Sequence, residues 1–301
     1  MTFDLSRLSK KDNIYFDSEV LEKDISFPSE GHSDAHYDLE QNSFWFIHRN
    51  KVILEAVKRF STNNKFVEVG GGNGFVSSFL INNGYDVWFV EPSINGCINA
   101  RKRGVKNVFC SFIEDLNEDS GSKSVNFGFF DVVEHVDDVS KLYNGVVSKM
   151  DNDSRIYITV PAYNFLWSYA DDIAGHFRRY TTNSCVEELD QFGLEVEYSS
   201  YFFSFLTIFQ FIFRSIPYRL NWFKNKSHNE QIEKSFEDHR KGKLVTNIVL
   251  MFFYFERMMI RLGLRFPFGS SLLIVAKKKQ LSPKGALNPH ESSSQRGEKK
   301  H

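Results

Sequence analysis

The run Lys65-Phe66-Val67-Glu68-Val69-Gly70-Gly71-Gly72-Asn73-Gly74-Phe75-Val76 constrains this chain more than any other segment. Five residues of strand character stop abruptly at glycines, and a helical pattern over 75–83 begins where the glycines end. Glycine has no Cβ and accepts left-handed backbone angles, so such a loop turns sharply and lets a ligand approach its backbone. The helix that follows presents unpaired N–H groups to the same point. The spacing is G-x-G-x-G with Glu68 two positions ahead, not the G-x-G-x-x-G of a nicotinamide-type loop. A carboxylate at the strand's end suits a ligand carrying an ammonium group and suits a pyrophosphate poorly.

Strand and helix patterns alternate along the middle of the chain. Residues 65–69, 86–90, 106–110, 125–130 and 155–160 read as short apolar strands, the last ending before Pro161. Residues 94–103 and 139–150 read as helices. A further helix is expected over 37–60, with Phe44, Ile47, Val52, Leu54 and Val57 available for its buried stripe. This alternation predicts an α/β fold, a Rossmann-like, doubly wound and mostly parallel sheet with helices on both faces. Ligands of such sheets bind at the carboxyl ends of the strands, near the switch in strand order.

The flanks differ in character. Residues 1–36 are polar and read as a loosely packed arm, and 279–301 as a disordered tail. Between them the domain runs over 37–278, closing with a late strand near 268–276. Residues 201–266 form an aromatic-rich helical insertion, with aromatic 201–213 and apolar 244–264 separated by a charged linker over 224–243. The first apolar stretch has 13 residues, and the second contains Glu256, Arg257 and Arg261, so neither suits a membrane crossing of roughly 20 apolar residues. Two roles are open to them: helices packed on the sheet or on each other, or an apolar surface in the membrane interface flanked by Arg214, Arg219, Lys224, Lys226 and Lys243.

Charge and cysteine usage exclude some classes. With 37 basic and 38 acidic residues the net charge is −1, which gives no electrostatic case for nucleic acid. Cys97, Cys110 and Cys185 form no CxxC pair, so neither a disulfide framework nor a metal site is expected. A reducing, cytoplasmic setting fits better, at the inner face of the membrane if the insertion rests there. The polar start carries no apolar run of the secretory kind.

Glu91 ends the apolar strand 86–90, where an acid can accept hydrogen bonds from both ribose hydroxyls; the alternative is a solvated acid in the turn before Pro92. With this acid, the glycine loop resembles the class I S-adenosylmethionine (SAM)-dependent methyltransferases, whose first motif is E-x-G-x-G-x-G. Asp131-Val132-Val133-Glu134-His135-Val136 resembles the D-V-L-E-H-I segment of one bacterial and archaeal branch. Val160-Pro161-Ala162, Leu166-Trp167-Ser168, Asp171 and Gly175-His176-Phe177-Arg178-Arg179-Tyr180-Thr181 match that branch's V-P-A…L-W-S…D…G-H-x-R-R-Y-T stretch. Phe44-Trp45-Phe46 with Arg49 is similar to its N-terminal helix, and Pro267-Phe268-Gly269-Ser270-Ser271-Leu272 to its closing strand.

The resemblance implies a seven-stranded sheet, SAM as cofactor, and methyl transfer to an O, N or C nucleophile of a small-molecule or lipid- or glycan-linked acceptor. The expected cofactor residues are Glu68, Gly70, Gly71, Gly72, Gly74, Glu91, Pro92 and Asp131. The acid common after the third strand is not evident, so the adenine is expected at backbone groups near Phe112 and Ile113, with Glu114 or Asp115 as candidate acids. His135 and His176 are the candidate bases; the alternative for Glu134 and His135 is to cap a helix or pack beside the cofactor. Arg178, Arg179 and Tyr180 either bind an anionic acceptor or order the lid after the fifth strand through ion pairs. Two rival functions are a non-catalytic SAM-fold scaffold at a membrane and a nicotinamide-dependent oxidoreductase.

Overall fold

In the computed structural model, residues 3–17, 34–117, 124–222 and 243–280 are described. The expected linker over 224–243 except its last residue, most of the tail and the second half of the arm lie outside the described residues.

The strand that opens the glycine loop, β3 (Lys65–Val69), lies at the centre of the sheet. To one side stand β4 (Asp86–Val90), β5 (Asn107–Cys110) and a hairpin of β2 (Ile14–Phe16) and β1 (Ser9–Lys11). To the other stand β6 (Asn126–Phe130), β7 (Ile156–Pro161), β9 (Ser271–Lys278) and β8 (Leu194–Phe202). Strands β2 to β7 pair in parallel, while β1 and β9 run antiparallel to their neighbours. The chain steps outward from β3 to β5 and returns to start again at β6. The crevice that opens beside that reversal is where the strand tips converge.

The sheet has nine strands, not seven. The extra pair is the hairpin, drawn from the arm expected to be loosely packed. Its apolar residues explain the difference. Ile14 is buried beside Val108, Tyr15 stacks on Phe109 at 5.1 Å, and Phe3 meets Phe109 edge-on at 5.0 Å. The helix expected over 37–60 is broken into α1 (Asp34–Asn42) and α2 (Phe44–Phe60). Ser43 adopts an extended conformation, and its Oγ accepts from the N–H of Trp45, a hydrogen bond that starts a new helix.

Successive residues of β3 face opposite cores, so a strand of nearly continuous apolar character is required. Val67 joins Phe127, Phe129, Ile156 and Ile158 under α5 (Ser140–Val147) and α7 (Thr182–Gln191). Phe66 joins Tyr157, Leu273 and Val275 under α2 and α3 (Phe75–Ile81). Helix α4 (Ile94–Lys102) covers the β4–β5 side through Cys97 and Ala100. Short α6 (Tyr169–Ala174) follows β7.

The insertion comprises α8 (Ser204–Gln210), a π-helical turn over Phe211–Ser215, α9 (Ile216–Arg219) and α10 (Lys243–Arg261). Helix α10 lies on α2 through the buried stripe Phe253, Glu256 and Ile260, which follows helical spacing. Glu256 is the polar member of that stripe. It accepts from His48 Nε2–H at 2.8 Å and from the N–H groups of Phe203 and Ser204, each at 2.9 Å. Phe203 needs this anchor because its φ is +59° and its ring stacks on Trp45 at 3.6 Å. Tyr201 and Phe202, expected in the helical run, belong instead to β8.

Candidate active site

A cavity of about 500 Å³ opens over the tips of β3, β4, β6 and β7. The glycine loop forms its floor, Trp45, Phe46, Phe75 and Phe112 its apolar walls, and Gln210 and Arg214 of the insertion part of its rim.

Gly72 has φ +55°, and a Cβ placed on it would stand in open space; left-handed geometry alone calls for glycine there. Gly74 begins α3 at φ +73°, where a Cβ would approach Ala100 of α4 to 2.6 Å. The loop therefore seats on α4, and its backbone stays bare toward the cavity. Gly72 N–H donates to Glu91 Oε2 at 2.9 Å, and Ser93 N–H donates to Glu91 Oε1 at 2.8 Å. Burial raises Glu91 to a pKa of about 7. Glu68 is likewise buried and raised to about 7, against the hydroxyl of Ser77 that donates to its Oε2. Both acids line the cavity, with Gly70, Gly71, Gly72 and Pro92; Phe112 and Ile113 close the side below β5. A glycine backbone with two carboxylates lining one cavity fits a ligand that has both hydroxyl and ammonium donors.

Asp131 also lines the cavity, with φ +57° at the end of β6. Arg49 Nη1–H donates to its Oδ2 at 2.6 Å, and the Thr159 hydroxyl donates to its Oδ1 at 3.0 Å. Arg49, Trp45, Phe46, Gln210 and Arg214 are site residues whose sequence positions gave no direct role. The aromatic cluster before Arg49 on a helix of otherwise ordinary pattern was the available signal.

Beyond Asp131, Glu134 and His135 leave β6 in one helical turn, and His176 approaches from the segment after α6. The imidazoles of His135 and His176 meet edge to face with centroids 4.7 Å apart. Burial first, and the neighbouring His176 second, lower His135 to a pKa of about 3, which makes it a weak base. His176 Nδ1–H donates to Asp171 Oδ1 at 2.8 Å. Burial pushes Asp171 up, but the His176 hydrogen bond and the Arg179 charge outweigh it and hold the group at about 2.

The expected acceptor-binding trio divides. Arg179 touches the cavity, yet its Nε and Nη2 donate to the two oxygens of Asp171 at 2.7 and 2.9 Å, and its Nη1 to Ala162 O at 3.0 Å. Arg178 is not part of the cavity wall; it donates to the carbonyl of Val136 at 2.8 Å. Tyr180 is buried, and its hydroxyl donates to Glu188. Of the three, only Arg179 meets Asp171, a buried charge that needs such a partner.

The fold and this arrangement match a known family. The methyltransferase-domain family matches residues 44–199, just over half of the sequence. The chain belongs to this family, the class I SAM-dependent methyltransferases. No curated protein matches it. Among solved structures, a chain of the complex between the Haloferax volcanii Trm112 methyltransferase activator and the putative methyltransferase is 14% identical, with TM-score 0.52, over 83% of this chain and 97% of that one. Geranyl diphosphate C-methyltransferase from Streptomyces coelicolor A3(2) is 13% identical, with TM-score 0.46, over 76% of this chain and 78% of that one. The mitomycin 7-O-methyltransferase is 17% identical, with TM-score 0.42, over 52% of this chain; this chain spans 50% of that one.

Proposed function

We propose that the chain binds SAM across the tips of β3 and β4 and passes its methyl group to an oxygen, nitrogen or carbon nucleophile entering past His135 and His176. The observation that carries this proposal is the hydrogen bond from Gly72 N–H to Glu91, which fixes the glycine backbone beside a carboxylate that lines the cavity. Bound SAM supplies an electrophilic methyl on a sulfonium. In this assignment Glu91 accepts from the ribose hydroxyls, and Glu68 with the loop backbone receives the ammonium end. Pro92, Phe112 and Ile113 shape the adenine side. Asp131, held by Arg49 and Thr159, closes the floor beneath the methyl.

Methyl transfer is a single displacement, so positioning supplies much of the acceleration. The aromatic walls exclude water, and the lid tied by Asp171 and Arg179 sets the approach of the acceptor. The weakly basic His135 lines that approach rather than taking a proton. Release of S-adenosylhomocysteine with a panel of hydroxyl, amine and carbanion acceptors tests the proposal; turnover with a member of the panel supports it. SAM binding without turnover on any of them favours the non-catalytic scaffold instead.

A second part of the proposal concerns the acceptor's source. The insertion exposes Phe209, Ile212, Phe213, Trp222, Phe252 and Phe255, with Phe213 and Trp222 63% and 69% accessible. Phe205 stacks on Phe252 at 4.4 Å and joins α8 to α10, so these side chains belong to neighbouring helices. Exposed apolar surface on this scale marks an interaction site. Among the described residues no helix is long and apolar enough to cross a membrane. We infer that this face rests in a lipid interface, with Arg214 and Arg219 near the headgroups, and that the acceptor is lipid-linked. Flotation with anionic vesicles tests this: the protein rises with the lipid, and protein left wholly in the soluble fraction overturns it.

A further inference from the structure

We propose that Glu134, His135 and His176 bind one divalent transition-metal cation at the acceptor end of the cavity. One ligand atom from each residue lies within 4.8 Å of the other two. The fold brings them there from two segments. Glu134 and His135 share the turn that leaves β6, and Phe177 N–H donates to Glu134 O at 2.8 Å, which draws the His176 segment onto that turn.

Glu134 carries the inference. Its side chain is fully buried, and neither carboxyl oxygen has a hydrogen-bond partner in the fold. Buried polar atoms are nearly always paired, and an ionised carboxylate without a partner is costly. A cation between Glu134 and the two imidazoles supplies that partner. All three residues line the cavity.

His176 is already oriented for this. Its Nδ1–H donates to Asp171, which leaves Nε2 as the nitrogen with a lone pair. Asp171 is in turn held by Arg179 and by Ser168 N–H at 2.8 Å. A carboxylate behind an imidazole is the usual way a metal-binding histidine is aimed and its basicity raised. Two imidazoles and one carboxylate, with no thiolate, suit Zn²⁺, Mn²⁺, Fe²⁺ or Co²⁺ better than Ca²⁺ or Mg²⁺. Tetrahedral ligand atoms about 2.0–2.2 Å from one ion lie about 3.3–3.6 Å apart, so the site closes by up to about 1.5 Å on binding. Three protein ligands leave positions open toward the cavity, where an oxygen of the acceptor fits. That last use rests on the methyltransferase proposal; binding of the cation does not.

Calorimetric titration of chelator-stripped full-length protein with Zn²⁺ and Mn²⁺, in the absence of SAM, is the test. A single cation per chain is expected, with Glu134→Gln and His176→Gln each weakening binding at least about tenfold. Circular dichroism establishes that each variant is folded. If His176→Gln does not fold, Glu134→Gln, which preserves side-chain shape, decides alone. No cation binding, or binding unchanged in the folded variants, overturns the proposal. Because SAM is left out, a failure to bind SAM in a parallel titration leaves the cation result standing.

Discussion

Gly72 and Glu91 lie 19 positions apart in sequence, and the N–H of the first donates to Oε2 of the second at 2.9 Å. The bond joins the loop after β3 to the tip of β4, so the bend of the glycine backbone and the aim of the carboxylate are set together. Replacing Glu91 with Ala strands the N–H groups of Gly72 and Ser93 and removes the proposed ribose acceptor. SAM affinity measured by calorimetry should fall about 10- to 100-fold, the range for losing a hydrogen bond to a charged group.

The two raised acids make stability and binding depend on pH in opposite senses. Glu68 and Glu91 hold their protons to a pKa of about 7 in the folded chain, against 4.5 as the ordinary value. Between these values the folded state binds more protons than the unfolded state. Stability without ligand therefore falls as pH rises from about 4.5 through about 7, by on the order of 3 kcal/mol per group at most. SAM donors favour the ionised forms, so SAM affinity should rise over the same window. Thermal unfolding across that window, with and without SAM, checks both signs.

Glu256 ties α10 to α2 through His48 and to the left-handed Phe203 through its backbone. Truncating it leaves a buried imidazole and two N–H groups without their acceptor. Glu256→Ala should cost about 3 kcal/mol or more in urea unfolding, whereas truncation of the exposed Phe213 should change stability by less than about 0.5 kcal/mol.

Arg178 and Arg179 are neighbours with different contacts, and their variants should separate. Arg179→Ala removes two bonds from buried Asp171 and should loosen the lid, giving faster proteolysis near residues 164–180 and a stability loss of about 3 kcal/mol. Arg178→Ala, which removes bonds to the carbonyls of half-buried Val136 and exposed Asp137 and a 3.8 Å ion pair with Glu188, should cost under about 1 kcal/mol. Equal losses from the two would contradict the assignment of Asp171 as the hub of the lid.

How much of this was legible in the sequence depends on whether the signal was local. The parallel strands, the loop and the position of Glu91 followed from short apolar runs, three of which end at glycine or at an acid, because these features are set by residues next to each other. The hairpin at Ser9–Phe16 was missed because three apolar residues in a polar arm acquire meaning only when β5 offers an edge. The β8 strand merges at Tyr201 and Phe202 with an aromatic run that continues into α8, so periodicity gave no boundary. Arg49 belongs to the site through Asp131, a contact 82 positions away. Glu256 looked like a reason against a membrane span, and it is that; its larger role, holding Phe203 and His48, is visible only in three dimensions. The paired arginines fitted phosphate and lid equally well as a motif, and the contact of Arg179 with buried Asp171 is visible only in three dimensions.

The most direct test of the central claim is calorimetric titration of the full-length chain with SAM, with NADH as the comparison ligand. SAM should bind at one site per chain and Glu91→Ala should weaken it, while NADH should give no heat of binding. Binding of NADH but not SAM by folded protein would contradict the assignment of the Glu68–Gly74 loop.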